Sequence, residues 1–298
     1  MSCSNLDFLR LQKLPALARG NTNSFQVHQK GIKAGSPRAV NSAHPEHRLG
    51  GGRNILLHEM MDTRSSEMFH EKVDTGLSTP FPEGTFIIVG AGRFGKIAAL
   101  RLGSKRHSSL CIVDKKKERL GEVEIPHARK ICCDGPEFLS TYFHLFHSSN
   151  IIVPAVPVHL AYEWLMRSPP QNLKATQRKV PLSLIPLLPH TWETDDGSLL
   201  ISHADSLCPD DCPEPDDYCT LTGKKRGTPL HELLSHMDCP GYGIHIVESR
   251  QLEPGVGGYR AGDLDVLLRR VLAERKGKWL VGTACKCHGI VSALEFTL

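Results

Sequence analysis

The 298 residues carry 40% hydrophobic and 23% charged side chains, the balance of an ordinary soluble globular protein with enough apolar material for a core. The formal charge of +4 is uneven: residues 1–57 hold eight basic residues against two acids, a net of +6, so the remainder nets −2. A near-neutral body argues against a nucleic-acid-binding protein, which concentrates positive charge on the folded domain itself.

The start, Met1 to Gly20, lacks an apolar stretch followed by a small-residue cleavage site, so no export signal is read there. It is basic and poor in acids, which fits an organellar transit peptide; the plainer reading, a disordered extension or a start placed upstream of Met60, Met61 or Met68, is preferred. Residues 1–82 show no sustained period and are expected to be disordered, with a short helix near Ile55–Met61. The ten cysteines, without an export signal, point to reduced thiols or metal ligands and a cytoplasmic location. No apolar run is long enough to span a membrane.

From Thr85 the pattern alternates strand and helix. Strands are expected at Thr85–Val89, Ser109–Val113, Arg129–Cys133 and Asn150–Val153. Helices are expected at Lys96–Gly103, Lys115–Gly121, Pro136–Phe146 and Val158–Met166. Short buried runs separated by helices predict a parallel sheet in residues 83–168, a doubly wound α/β (Rossmann) arrangement. Residues 169–298 read as a Cys-rich α+β region that either completes that sheet or forms a small second domain. There, Ser198–Ser202, Gly243–Val247, Trp279–Thr283 and Gly289–Phe296 are expected strands, and Pro229–Met237 and Asp263–Lys276 helices. The glycine stretch Gly255–Arg260 reads as a plain flexible loop, with closure over a ligand as the alternative.

The strongest motif is Gly90-Ala-Gly92-Arg93-Phe94-Gly95 between the first strand and first helix, with Asp114 ending the next strand 19 residues after Gly95. This is the full context that the dinucleotide fingerprint demands. Gly90 permits a tight turn, Gly92 opens the backbone to a pyrophosphate, and Gly95 lets helix and strand pack closely. Free amides at the helix start then receive the phosphate charge. Asp114 is placed to accept from ribose hydroxyls, which favours NAD(H); Lys115, Lys116 and Lys117 leave NADP(H) open.

Residues 86–155 resemble the NAD-binding Trk-type domains that regulate potassium conductance, and more broadly other Rossmann dehydrogenase domains. The matching features are Gly90 to Gly95, Asp114, and Cys133-Asp134-Gly-Pro-Glu-Phe-Leu139. The resemblance implies that Asp134 lies near the adenosine half of the cofactor. It covers under a quarter of the chain, and Pro154-Ala-Val-Pro157 after the fourth strand departs from it.

Cys208, Cys212 and Cys219 stand at C-x₃-C-x₆-C, with Cys239 twenty residues on and a second group at Cys285, Cys287 and His288. Four thiolates, Cys208, Cys212, Cys219 and Cys239, form a candidate zinc or iron–sulfur site, with Cys285 and Cys287 as weaker candidates. Unliganded thiols and a redox disulfide are the alternatives. His159, after the fourth strand, is the one weak catalytic candidate, being a helix-start residue by the plainer reading. Two functions remain: an NAD(H)-binding regulatory or redox-sensing protein, and an NAD(P)-dependent oxidoreductase acting on a small molecule. A homodimer or a partner protein stays open.

Overall fold

The computed structural model describes residues 77–105, 109–169, 173–274 and 277–298. The helix expected near Ile55–Met61, and most of the expected disordered extension, lie outside the described residues. Within that extension Phe81 is buried, with its ring edge-on to Phe138 and Phe146.

The protein is mixed α/β, with two sheets. In the first, β1 (Phe86–Val89), β2 (Leu110–Asp114), β3 (Arg129–Cys132) and β4 (Ile151–Pro154) run parallel. The apolar runs of β1, β2 and β4 are buried on both faces, as a covered parallel sheet requires, whereas β3 at the edge buries only Ile131. The order is β3-β2-β1-β4, and two antiparallel strands then extend it, β10 (Val256–Arg260) on β4 and β9 (Arg250–Glu253) outermost. The stretch Gly255–Arg260, expected as a flexible loop, is therefore a turn glycine followed by a strand. Gly258 belongs there because a Cβ would stand 2.8 Å from the Ile152 carbonyl oxygen of the neighbouring strand.

The second sheet has the order β6-β7-β12-β11-β8, with β5 also on β12. These are β5 (Lys174–Arg178), β6 (His190–Glu193), β7 (Leu199–Ser202), β8 (Tyr242–Glu248), β11 (Gly277–Ala284) and β12 (His288–Thr297). Only the β8–β11 pair is parallel. Residues 169–298 thus add strands to the first sheet and also build a second sheet.

Between the sheets lie α3 (Gly135–Tyr142), α4 (Leu160–Arg167) and α6 (Ala261–Glu274). One continuous apolar core joins Val89 and Ile152 of the first sheet, Phe138, Trp164 and Leu267 of these helices, and Trp279 and Phe296 of the second sheet. On the outer face of the first sheet α1 (Arg93–Gly103) packs Ala98, Ala99 and Leu102 onto Ile88, Ile112 and Val153. On the outer face of the second sheet α5 (Leu230–Ser235) packs Leu230 and Leu234 beside Cys239 and Leu280. The short α2 (Lys117–Gly121) follows β2.

A buried polar chain crosses the seam between layers. His159, the residue before α4, meets the Ser292 hydroxyl through Nδ1 at 2.8 Å and the Thr283 hydroxyl through Nε2 at 2.9 Å. Ser292 in turn shares a 2.7 Å hydrogen bond with Ser198. A buried polar group without partners costs on the order of 1–3 kcal/mol, so this chain helps to fix how α4 docks on the second sheet. Among the described residues no helix is long and apolar enough to cross a membrane.

Candidate functional site

The carboxyl ends of β1, β2, β3 and β4 share one edge of the first sheet, and the glycine turn sits there. Gly90 has φ +107°, and a Cβ on it would lie 2.4 Å from the Ala155 carbonyl oxygen. Gly95 is tighter still, its absent Cβ standing 1.8 Å from the Gly90 carbonyl oxygen. Gly92 differs: a Cβ there would meet only Arg119 Nη1, at 3.9 Å, so the turn is open at that point. It is also the N-cap of α1, which has no side-chain cap and no acid in its first turn. The start of α1 therefore presents amides and the positive end of the helix dipole without a competing anion of its own.

Asp114, buried at the end of β2, fixes this turn. One carboxylate oxygen accepts from the Ala91 amide at 2.7 Å, and the other from the Lys116 amide at 2.8 Å. A carboxylate has about four lone-pair sites, so both oxygens retain acceptor capacity. Arg119, in α2, lies 3.8 Å from Asp114 while also flanking Gly92. It was not among the candidates read from the sequence, which pointed to Lys115, Lys116 and Lys117; all three of those side chains are exposed. Its only sequence signal is its place one helical turn past Asp114. Asp134 caps α3, its carboxylate accepting from the Glu137 amide at 3.4 Å, and it lies beside Asp114 because the Cys133 amide donates to the Asp114 carbonyl at 3.2 Å. Phe94 packs its buried side chain under the turn, whereas Arg93 points outward.

His159 is not placed to act on a substrate. It is buried, both ring nitrogens are taken by hydroxyls, and burial depresses its imidazolium to about 3, with Asp196 opposing weakly. Its catalytic candidacy ends there.

The cysteines divide differently from the sequence expectation. Cys239 lies in the apolar core under α5, apart from the other three. Its place is taken by the tight turn Cys285-Lys286-Cys287-His288 joining β11 to β12, closed by a 2.9 Å bond from the Cys285 amide to the His288 carbonyl. Cys208, Cys212, Cys285, Cys287 and His288 line one cavity of about 30 Å³, with Glu214, Ser249 and Gln251. Cys208 Sγ stands 3.4 Å from His288 Nε2. Cys212 Sγ is 3.2 Å from the Thr220 hydroxyl, and the Arg226 guanidinium contacts Cys287 Sγ. Cys219 lies just outside, where a hydrogen bond from Thr222 lowers its thiol. Among the described residues no three His, Cys, Asp or Glu side chains already surround a common point at metal-ligand distance.

Burial pushes the Cys208 thiol up to about 12, aided by its neighbours Cys212, Cys287 and Cys219, with Arg226 acting the other way. Burial likewise raises Cys287 to about 11, against the Arg226 charge, and raises Cys285, which also faces Glu214. These are thiols that stay protonated at neutral pH unless a cation joins them.

Acids of the loop hold it down. Glu214 accepts from the Lys286 amide at 3.1 Å, and Asp216 pairs with the Lys286 ammonium. On the other side the Gly255 amide donates to the Cys212 carbonyl at 3.0 Å, and Gln251 Nε2 to the same carbonyl at 2.7 Å. Gly255 has φ +66°, and a Cβ there would overlap the Asp210 carbonyl oxygen at 1.7 Å. The loop is thus wedged between the β9–β10 turn of the first sheet and the β11–β12 turn of the second. Because β10 runs antiparallel to β4, the β9–β10 turn lies at the carboxyl edge of the parallel strands, on the glycine-turn side. Arg93 of the glycine turn pairs with Asp210, and Arg101 of α1 donates to the Asp210 carbonyl at 3.2 Å.

A protein of Archaeoglobus fulgidus (strain ATCC 49558 / DSM 4304 / JCM 9628 / NBRC 100126 / VC-16) described as uncharacterized is 30% identical over 224 residues, covering 70% of this chain and 98% of its own length. The chain belongs to that protein's family. A family model described as "Uncharacterized protein, C-terminal domain" matches residues 161–297, a span that holds every residue of the thiol cavity and none of the glycine turn. The longer archaeal alignment reaches well N-terminal of that span. No solved structure matches the chain at a significant level.

Proposed function

We propose that this chain is an NAD(H)-binding Rossmann protein with a regulatory or redox-sensing role. The observation that carries the reading is the 2.7 Å hydrogen bond from the Ala91 amide to Asp114 across a turn that only glycine permits at Gly90 and Gly95. A turn held in shape by a buried carboxylate, open at Gly92 and continued by an uncapped helix, matches a diphosphate flanked by a ribose. Asp114, with acceptor capacity left on both oxygens, favours ribose hydroxyls over a 2′-phosphate, and hence NAD(H) over NADP(H). The resemblance of residues 86–155 to Trk-type NAD-binding domains points the same way.

Two observations favour sensing over dehydrogenation. The one catalytic candidate read from the sequence, His159, is locked in the core. The thiol cavity, about 30 Å³, is far below the few hundred Å³ of a typical small-molecule site. It adjoins the glycine turn through Arg93 and Asp210. In this reading the bound dinucleotide supplies the redox-active group, while the protein's own residues position it and couple its presence to the thiol loop.

The test is an equilibrium fluorescence titration with NADH and with NADPH. One saturable site per chain, with NADH the tighter ligand, is expected. Failure of both nucleotides to bind would remove the reading.

A further inference from the structure

We propose that Cys208, Cys212, Cys287 and His288 bind one thiophilic divalent metal ion of the zinc class, which ties the acidic loop to the β11–β12 turn. The proposal does not rest on dinucleotide binding.

Its first ground is geometry. In a tetrahedral site with Zn–S of about 2.3 Å and Zn–N of about 2.0–2.1 Å, sulfur and nitrogen ligands stand about 3.5 Å apart. Cys208 Sγ and His288 Nε2 are 3.4 Å apart, already one edge of that tetrahedron. Cys212 and Cys287 line the same cavity. To complete the site, Cys212 would leave the Thr220 hydroxyl and Cys287 the Arg226 guanidinium. The cavity of about 30 Å³ holds one or two water-sized centres, the scale of a single ion.

The second ground is a polar group without a partner. Ser249 is 3% exposed, its hydroxyl has no hydrogen-bond partner, and it lines this cavity. It sits where the chain passes from β8 of the second sheet to β9 of the first, with its amide bonded to the Ala284 carbonyl at 2.8 Å. A buried hydroxyl left unpaired is costly, and an ion or its coordinated shell gives it a neighbour.

The third ground is charge. Binding Zn²⁺ displaces one proton from each of three thiols, leaving a complex of net charge −1. Arg226, which already contacts Cys287, offsets that charge. Cys285 is left out of the ligand set because its thiol is buried and faces the carboxylate of Glu214. Cys219 lies outside the cavity, and Cys239 lies in the core.

The full-length chain, purified without chelators, is expected to contain one zinc per chain by elemental analysis. After metal removal, one equivalent of Co²⁺ should give the intense visible absorption of a tetrahedral thiolate site. Cys212→Ser and His288→Asn should each weaken Co²⁺ binding at least tenfold, while Cys219→Ser and Cys239→Ser keep the stoichiometry. The wild-type cobalt spectrum keeps the test decisive if a variant fails to fold. A weak octahedral spectrum, iron with acid-labile sulfide, or loss of the site in Cys239→Ser but not Cys212→Ser would overturn the proposal.

Discussion

The guanidinium of Arg93, within the glycine turn, is ion-paired with the carboxylate of Asp210, which lies between Cys208 and Cys212. In the proposed NAD(H)-binding reading, a pyrophosphate at the start of α1 would compete with Asp210 for that cation. The turn and the thiol loop would then share one charge, and each would register whether the other has it.

That sharing predicts the behaviour of Asp210→Asn. Arg93 is mostly exposed, so the pair is worth at most about 1 kcal/mol. Freed for the cofactor, Arg93 should raise NADH affinity by up to about fivefold at low salt, and the gain should fade as ionic strength rises. Calorimetric titration at two salt concentrations reads this, and an unchanged affinity at low salt would show that the pair is uncoupled from binding.

Nucleotide preference should depend on Asp114 and Arg119 together. With Asp114 replaced by serine, the repulsion of a 2′-phosphate is lost while Arg119 remains to attract it. The NADH-over-NADPH preference should then fall by roughly tenfold or invert. Adding Arg119→Ala to that variant should take the NADPH gain away. Parallel titrations of the single and double variants decide it.

His159 makes stability depend on pH. Burial depresses its imidazolium to about 3, from an ordinary value near 6.5, so below 6.5 the unfolded chain binds a proton that the folded chain refuses. The stability owed to neutral His159 is complete above pH 6.5 and is lost as pH falls toward 3, by about 1.4 kcal/mol per unit. His245, lowered to about 4 chiefly by burial, adds in the same direction over pH 6.5 to 4. Urea midpoints between pH 7.5 and 5 should fall more steeply for the wild type than for His159→Gln, by about one proton's slope. Equal slopes would mean that His159 titrates normally.

Gly255 holds the thiol loop against the first sheet. An alanine there needs a strained φ of +66° and overlaps the Asp210 carbonyl oxygen. Gly255→Ala should cost about 1–3 kcal/mol and lower metal content, leaving the glycine turn intact. Thermal melts alongside metal analysis check both halves.

The parallel unit was legible because β1, β2 and β4 are short apolar runs buried on both faces, a pattern that survives in the sequence. The outer strands were not. Lys174–Arg178 and His190–Glu193 are partly exposed edge segments without alternation, and Gly257-Gly258 looks like a loop although it pairs as a strand. In the candidate site, Cys208 and Cys212 were found from local spacing. Their partners on the β11–β12 turn lie as much as 80 residues away in sequence, a closeness that only the second sheet creates. Cys239 shares the Cys-Pro signature of Cys208 and Cys212, yet it fills core space beside Leu230 and Leu234. Composition does not separate a ligand from a small apolar filler.

The most direct measurement compares NADH binding by the wild type and Gly92→Asp, with folding checked by thermal melt. A Cβ at Gly92 meets nothing closer than Arg119 at 3.9 Å, so the variant should fold with a nearly unchanged melting temperature. The added carboxylate would occupy the opening above the α1 amides, and NADH affinity should drop by at least a hundredfold. A folded Gly92→Asp protein that binds NADH as tightly as the wild type would contradict the account.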